Sequence, residues 1–359
     1  MKRLINLLIY FCLFVPNTFG QDPIYSLSFE NKSTINPSLI GRDGPGKFRS
    51  SIFHRNLFRP IRGPLHASDF SIDYSFCNSI FALGLNASNE TQGDGFFRTN
   101  NLNVILGATS VLGKSWIANG GMQFGIIQQK VDWNEYLFSD ELSPIYGAIY
   151  RSSNDMTTLV SKISPDVSFG FDLTNFNYGR NGSRNATNFG FALMHLTNNT
   201  NTGILNNYVL PRRFTAHLNW IHRKNPKNIS KSFQIMGRYD RQLQFNNVLL
   251  RCNYSIIEEF TFGIGIRGSY SVIGNINSPI FSANFNPSSN LSINFCVETS
   301  FGGANLIGAG NSVEIGIIFR STNPFCFSNG KFNGLGGGSK NKSRAICPVF
   351  NKTKTAPTF

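Results

Sequence analysis

Charge is scarce in this sequence. Only 14% of its 359 residues are Asp, Glu, Lys or Arg, against ~25% in an ordinary soluble domain. Acids are scarcest, with 19 set against 33 Lys and Arg, for a net charge of +14. Long apolar runs are missing beyond the first fifteen residues. A bundle of membrane helices is thereby excluded, because each span needs ~20 largely apolar residues. Catalytic signatures are missing too. The histidines His54, His66, His195, His217 and His222 fall in no H-E-x-x-H array, and no G-x-S-x-G elbow occurs. Gly263-Ile264-Gly265 lies inside a strand pattern, so it is no nucleotide loop. What the chain has in quantity is aromatics, at 13% with 34 Phe, and 34 Gly. That many aromatics excludes disorder. Few charges, many aromatics and many glycines suit a membrane β-barrel better than a soluble sandwich.

The N-terminus reads as an export signal. Lys2 and Arg3 precede an apolar stretch from Leu4 to Val15, too short to span a bilayer as a helix. Thr18-Phe19-Gly20 places small residues for cleavage after Gly20. Cys12 lies behind Tyr10 and Phe11, which does not suit lipidation. An exported chain is free to form disulfides.

Residues 21–320 read as amphipathic strands of period two. Phe70, Ile72, Tyr74 and Phe76 alternate with Asp69, Ser71, Asp73 and Ser75. The same pattern recurs over 231–240, 291–300 and 312–320. Alternation alone does not say which face is buried. Fourteen candidate strands can be drawn between residues 47 and 320, most near the ~9–11 residues of a tilted membrane strand. Links alternate between short and long, as in single-chain outer-membrane barrels. The short link near Gln242 and a long one over 176–185 run against that trend. The expected fold is all-β, a transmembrane antiparallel barrel of about fourteen strands.

Several stretches, read in order, resemble the PorP/SprF family of outer-membrane proteins from the type IX secretion and gliding machinery of Bacteroidota. They begin with Gln21-Asp22-Pro23 and Asn36-Pro37-Ser38-Leu39-Ile40-Gly41, similar to the family's N-P-A-x-x-G. His54-Arg55-Asn56 resembles its Y-R-N-Q-W, with Leu57-Phe58 in place of Gln-Trp. Gly121 to Gly125, Lys130-Val131-Asp132-Trp133, Phe138 to Leu142 and Pro165 to Phe171 are similar to its middle strands. His195-Leu196, Leu210-Pro211-Arg212-Arg213-Phe214 and Glu314-Ile315 complete the series. The Asn-rich loops depart from the usual pattern. The resemblance implies a non-enzymatic barrel that helps export a partner adhesin or retains it at the cell surface, with secretion components as further partners. It implies no cofactor. A transport barrel for small or hydrophobic solutes is the alternative. An open lumen would favour transport, and a lumen filled by paired charges and the N-terminal segment would favour docking.

The candidate site residues are Asn36, Pro37, Gly41, Arg55, Asp132, Trp133, His195, Pro211, Arg212, Arg213 and Glu314. Around Asn36, Pro fixes φ and Gly permits positive φ, so a shaped turn is the physical minimum. That turn either seals the barrel or docks a partner. Arg212-Arg213 at a strand start either binds lipopolysaccharide phosphates or is simply solvated. Asp69, Asp73, Arg238, Asp240, Glu298 and Glu314 are expected as paired charges filling the lumen. The loop over 131–164 carries acids and aromatics and is the best candidate for an external contact or a lid. An enzyme would need a nucleophile beside His195 or His217.

Five cysteines follow the leader, so at least one is unpaired within the chain. Cys326 and Cys347 flank a Gly-rich stretch and are a candidate disulfide. Residues 321–359 hold six Lys and Arg and no acid, a basic tail suited to acidic partners or anionic surfaces. An exported chain with no nucleic-acid-binding motif is not expected to bind nucleic acid. The expected organisation is a leader over 1–20, an outer-membrane barrel over 21–320 in contact with membrane lipid, and the tail over 321–359.

Overall fold

A computed structural model describes residues 22–57, 65–77, 79–93, 97–113, 115–131, 142–143, 147–148, 160–178, 183–197, 210–225, 228–257, 259–271, 274–299, 311–321, 324, 326–328 and 331–333. The expected leader, Asp132, Trp133, Cys347 and most of the tail lie outside the described residues.

The first five strands are β1 (Phe48–Leu57), β2 (Leu65–Ser75), β3 (Phe81–Gln92), β4 (Phe97–Leu112) and β5 (Trp116–Val131). A two-residue ladder, β6 (Leu142–Ser143) with β7 (Gly147–Ala148), interrupts the ring. The ring resumes with β8 (Val160–Tyr178), β9 (Arg184–Met194), β10 (Arg213–Asn225), β11 (Asn228–Gln242) and β12 (Phe245–Ser255). It ends with β13 (Phe260–Ser271), β14 (Gly274–Phe285), β15 (Leu291–Glu298) and β16 (Ser312–Arg320). A short hairpin of β17 (Cys326–Ser328) and β18 (Lys331–Asn333) follows. Fourteen strands form one closed antiparallel barrel, sealed where β1 pairs with β16. Closure leaves no edge strand, which a spanning sheet requires because lipid offers no hydrogen bonds.

The alternation is inside out relative to a soluble protein. Phe70, Ile72 and Phe76 face outward, while Asp69, Ser71 and Asp73 are buried inside. Every barrel strand exposes large apolar side chains outward, reaching 65% exposure at Ile264 and 57% at Phe281. Water does not tolerate so continuous a band, and a lipid bilayer does. Aromatic pairs stand near one end of the band, including Phe48 with Phe319 and Phe260 with Phe285, their ring centroids 5.6 and 4.8 Å apart.

At that end the links β2–β3, β4–β5, β8–β9, β10–β11, β12–β13 and β14–β15 run two to five residues. The opposite end carries the links over 132–159, 195–212 and 299–311. Short turns mark the periplasmic end of outer-membrane barrels. The expected long link over 176–185 shrinks to five residues, because β8 runs on to Tyr178 and β9 begins at Arg184. The short link at Leu243–Gln244 stays on the long-link side.

The disulfide expectation is corrected. Cys326 is bonded to Cys77, 249 residues away in sequence, and not to Cys347. Proximity along the chain favoured Cys347. Barrel closure instead sets the end of β16 beside β1, and β1 beside β2, so Cys326 meets the β2–β3 turn. Cys252 and Cys296 are free thiols. The bridge therefore anchors the start of the tail to the short-link rim. Since strand pairing already closes the ring, Cys77→Ser is expected to leave the barrel folded and to free the tail. The checks are an unchanged heat-modifiable gel shift and faster protease trimming after Arg320.

Candidate functional site

The lumen is filled by the chain's own N-terminal segment. Residues 22–47 run from the long-link end, where Asp22 sits, to the short-link end, where β1 begins. Two short 3-10 turns, Lys32–Thr34 and Pro37–Leu39, shape the segment. Asn36 caps the second turn. Its Oδ1 accepts from the Ser38 N–H at 2.9 Å, and its Nδ2 donates to the Phe171 and Phe191 carbonyls at 3.1 and 3.0 Å. Pro37 starts the turn with its φ already fixed. Gly41 has φ +67° and donates its N–H to Asp73 at 2.8 Å. Gly121 on β5 lets the plug approach closely, since a Cβ there would lie 2.3 Å from the Pro37 carbonyl carbon. The Asn-Pro-Ser-Leu-Ile-Gly stretch thus lies inside the barrel, held against its inner wall.

Apolar packing supplies part of the hold. Tyr25, Leu27, Phe29, Ile35 and Leu39 pack on Phe53, Ala67, Met236, Leu249, Ile280, Cys296 and Ile318, which face inward from the wall. Ile40 packs separately on Ala82 and Ile105. Each fully buried Leu or Ile of this kind contributes about 1.5–3 kcal/mol.

Charged anchors supply the rest. Arg55 on β1 faces Glu314 on β16 across the barrel seam. Its Nε lies 3.2 Å from Glu314 Oε1, and its guanidinium reaches Glu298 at 3.2 Å. The Glu314 carboxylate accepts the backbone N–H groups of Ser26 at 2.6 Å and Leu27 at 2.8 Å. Ser26 Oγ donates to Glu298 at 2.7 Å. From β12, Arg251 donates to the Ser26 carbonyl at 2.9 Å and pairs with Glu30. Arg267 donates to the Ile24 carbonyl at 2.8 Å. Lower down, Arg42 of the plug pairs with Asp172 at 3.0 Å.

Asp22 is clasped at the long-link end. His195 Nε2 and Arg213 Nη1 each lie 2.8 Å from its Oδ2, and the other His195 nitrogen lies 3.1 Å from Asp166. Arg213 also donates to the Thr34 carbonyl at 2.9 Å. Pro211 contributes its carbonyl to Gln242 at 3.0 Å. His195 has φ +59°, a left-handed turn that directs its ring back over the lumen. The two adjacent arginines separate by strand alternation: Arg213 points in to Asp22, and Arg212 is exposed.

Asn36, Pro37, Gly41, Arg55, His195, Arg213 and Glu314 therefore converge on one feature, the plug and its anchors. Sequence reading missed Asp22 as an anchor, together with Arg251, Arg267, Asp166 and Cys77. Arg251 and Arg267 were findable, because both occupy inward positions between lipid-facing residues such as Leu250 and Ile266. The expected lumen charges are mostly paired: Arg238 with Asp240 at 2.7 Å, Asp73 with Arg49 at 3.9 Å, and Glu298 and Glu314 with Arg55. Asp69 instead accepts from Asn86 at 2.8 Å. Among the described residues no hydroxyl or thiol is hydrogen-bonded to either imidazole ring; the Ser168 hydroxyl meets the His195 backbone N–H instead, at 3.4 Å. Both His195 ring nitrogens face carboxylates, and those of His217 make no hydrogen bond among the described residues.

The clasp titrates. Burial disfavours the His195 imidazolium, but the Asp22 and Asp166 carboxylates push its pKa from the ordinary 6.5 up to about 9. Burial disfavours the Asp22 carboxylate, but His195 and Arg213 hold it below the ordinary 3.8. A raised imidazole pKa stabilises fully below pH 6.5 and is lost as pH rises through about 9. A depressed carboxyl pKa stabilises above pH 3.8 and is lost only on strong acidification. Hydrogen-exchange protection over residues 22–30, corrected for the intrinsic rate, is expected to hold from pH 5 to 7 and to fall between pH 7 and 10. His195→Gln is expected to flatten that fall.

A family model described as type IX secretion system membrane protein PorP/SprF matches residues 17–319. No curated protein matches the chain. Among solved structures, the CymD monoaromatic hydrocarbon channel is 12% identical with a TM-score of 0.46, over 86% of this chain and 94% of that one. The P. putida toluene transporter TodX is 8% identical with a TM-score of 0.40, over 79% and 90%. A Pseudomonas aeruginosa FadL homologue is 11% identical with a TM-score of 0.37, over 84% and 98%. With a closed outer-membrane-type barrel and a family match over most of its length, the chain belongs to the PorP/SprF family of type IX secretion system membrane proteins.

Proposed function

We propose that this barrel serves type IX secretion as a non-catalytic docking component that holds a secreted surface adhesin or assists its export. The observation that carries the reading is the occupied lumen. A segment fixed by apolar packing and by ion pairs along its length suits a barrel that stays shut to solutes. Its working surfaces are then the long links at one rim and the basic tail at the other. The Cys77–Cys326 bridge supports the second part, because it sets the start of the tail at the short-link rim. There the tail would meet acidic or anionic partners in the periplasm. Transport of small solutes is the competing reading, and it requires the plug to leave.

The test is affinity purification of the tagged protein from outer membranes in mild detergent, with the co-purifying proteins identified. A stoichiometric large secreted protein, lost from the cell surface when the barrel gene is deleted, supports docking. A barrel that purifies alone, from cells that keep their surface proteins, overturns it.

A further inference from the structure

Beside the plug, in the long-link half of the lumen, lies a cavity of about 80 Å³. That is room for several waters or for one planar cationic group. Asp22, Asp69, Glu90 and Asp166 bring four carboxylates to its wall, against His195 and Arg213. Both cations are already engaged: each holds Asp22, and His195 also holds Asp166. Asp69 and Glu90 have no cation partner within ion-pair distance among the described residues. Asp69 is 2% exposed. Its Oδ2 accepts from Asn86, and the Asn31 amide also stabilises the carboxylate, but no hydrogen bond to its Oδ1 is made among the described residues. The Tyr25 hydroxyl on the same wall is equally buried and makes no hydrogen bond among the described residues. Glu90 accepts from Gln92 at 3.1 Å and is otherwise unsupported among the described residues.

A buried carboxylate keeps its charge only when a counter-charge or hydrogen bonds compensate it. Here, in a chain of net charge +14, the compensation among the described residues is incomplete at one place in the lumen. Among the described residues no three His, Cys, Asp or Glu side chains are grouped as metal ligands, so an organic cation fits better than a metal ion. We propose that this chamber binds an alkylammonium or guanidinium group, carried on a basic peptide side chain or on a free small amine. Asp69 and Glu90 are its counter-charges, and the Tyr25 hydroxyl accepts from it. The inference holds whether or not a secreted protein docks on the barrel.

The experiment is calorimetric titration of the full-length barrel in detergent at pH 7 with three probes. These are agmatine, acetyl-Gly-Arg-Gly-amide and the neutral acetyl-Gly-Gln-Gly-amide. Saturable binding of a cationic probe and none of the Gln peptide is expected. Asp69→Asn and Glu90→Gln are each expected to weaken binding roughly tenfold or more. Glu259→Gln, an exposed carboxylate in the short link between β12 and β13 and outside the cavity, is expected to leave it unchanged. Tighter binding of agmatine than of the Arg peptide assigns the chamber to free amines, and the reverse assigns it to side chains. A readout on the unaltered chain guards against variants that fail to fold: agmatine is expected to protect Asp69 and Glu90 from carbodiimide coupling, read by mass spectrometry. Absence of both saturable heat and protection overturns the proposal. So does binding that survives both substitutions, equal heat from the Gln peptide, or saturation by calcium chloride with none by agmatine.

Discussion

Glu314→Ala is expected to release the plug. In the native chain this one carboxylate accepts two plug N–H groups and neutralises Arg55 across the seam. Removing it leaves a buried guanidinium with only Glu298 and two buried donors with no acceptor. Breaking a buried ion pair from one side costs about 3–5 kcal/mol, and each orphaned donor about 1–3 kcal/mol. The losses share one network and do not simply add. Taking the lower figure, the population of released plug rises roughly 100- to 1000-fold. The measurement is the maleimide labelling rate of Leu27→Cys, with the native free thiols at Cys252 and Cys296 removed. Glu314→Gln keeps one carbonyl acceptor and is expected to give an intermediate rate. Equal rates in all three chains would mean that Glu314 does not hold the segment.

Deleting residues 22–41 is expected to turn a closed barrel into a conducting one. None of the barrel ladders includes a residue before Phe48, so the wall survives the deletion. Barrels of eight strands are filled by side chains, whereas those of sixteen leave an aqueous channel. A ring of fourteen strands without its plug lies near the second case. Conductance in planar bilayers is expected to rise by at least about tenfold over the intact protein. The exposed inner apolar patch around Phe53, Met236, Leu249 and Ile280 would then line water. A deletion variant that stays closed would show that other parts of the chain fill the lumen, and a native chain that already conducts would remove the basis for a docking barrel.

The wall was legible because its physics is local. Alternation over Asp69–Phe76 follows from the period of a strand, and the lipid-facing side from the surplus of Phe and Ile with so few charges. All fourteen barrel strands fall where period two places them. The plug was only partly legible. Pro37 and Gly41 announce a shaped turn, yet nothing local says that Asn36 reaches the carbonyls of β8 and β9, 135 and 155 residues away. Arg55 and Glu314 are separated by most of the chain and become neighbours only when the ring closes. The disulfide misled for the same reason: nearness in sequence pointed to Cys347, and closure delivered Cys77. Asp22 gave no sign of its role, since its partners arrive from a link and a strand start far downstream.

The anchors on the first and last strands make the plug a register of assembly. Ser26 and Leu27 find their acceptor only after β16 has been made and has paired with β1, at a sequence distance of 287–288 residues. Contacts so distant form late, because chain entropy opposes them until the intervening strands are in place. A half-built sheet therefore holds its first residues loosely and leaves Arg55 without its seam partner. A finished one captures them in a single step. Sealing of the lumen and completion of the wall are in this way one event, and a barrel that never closes never acquires its stopper.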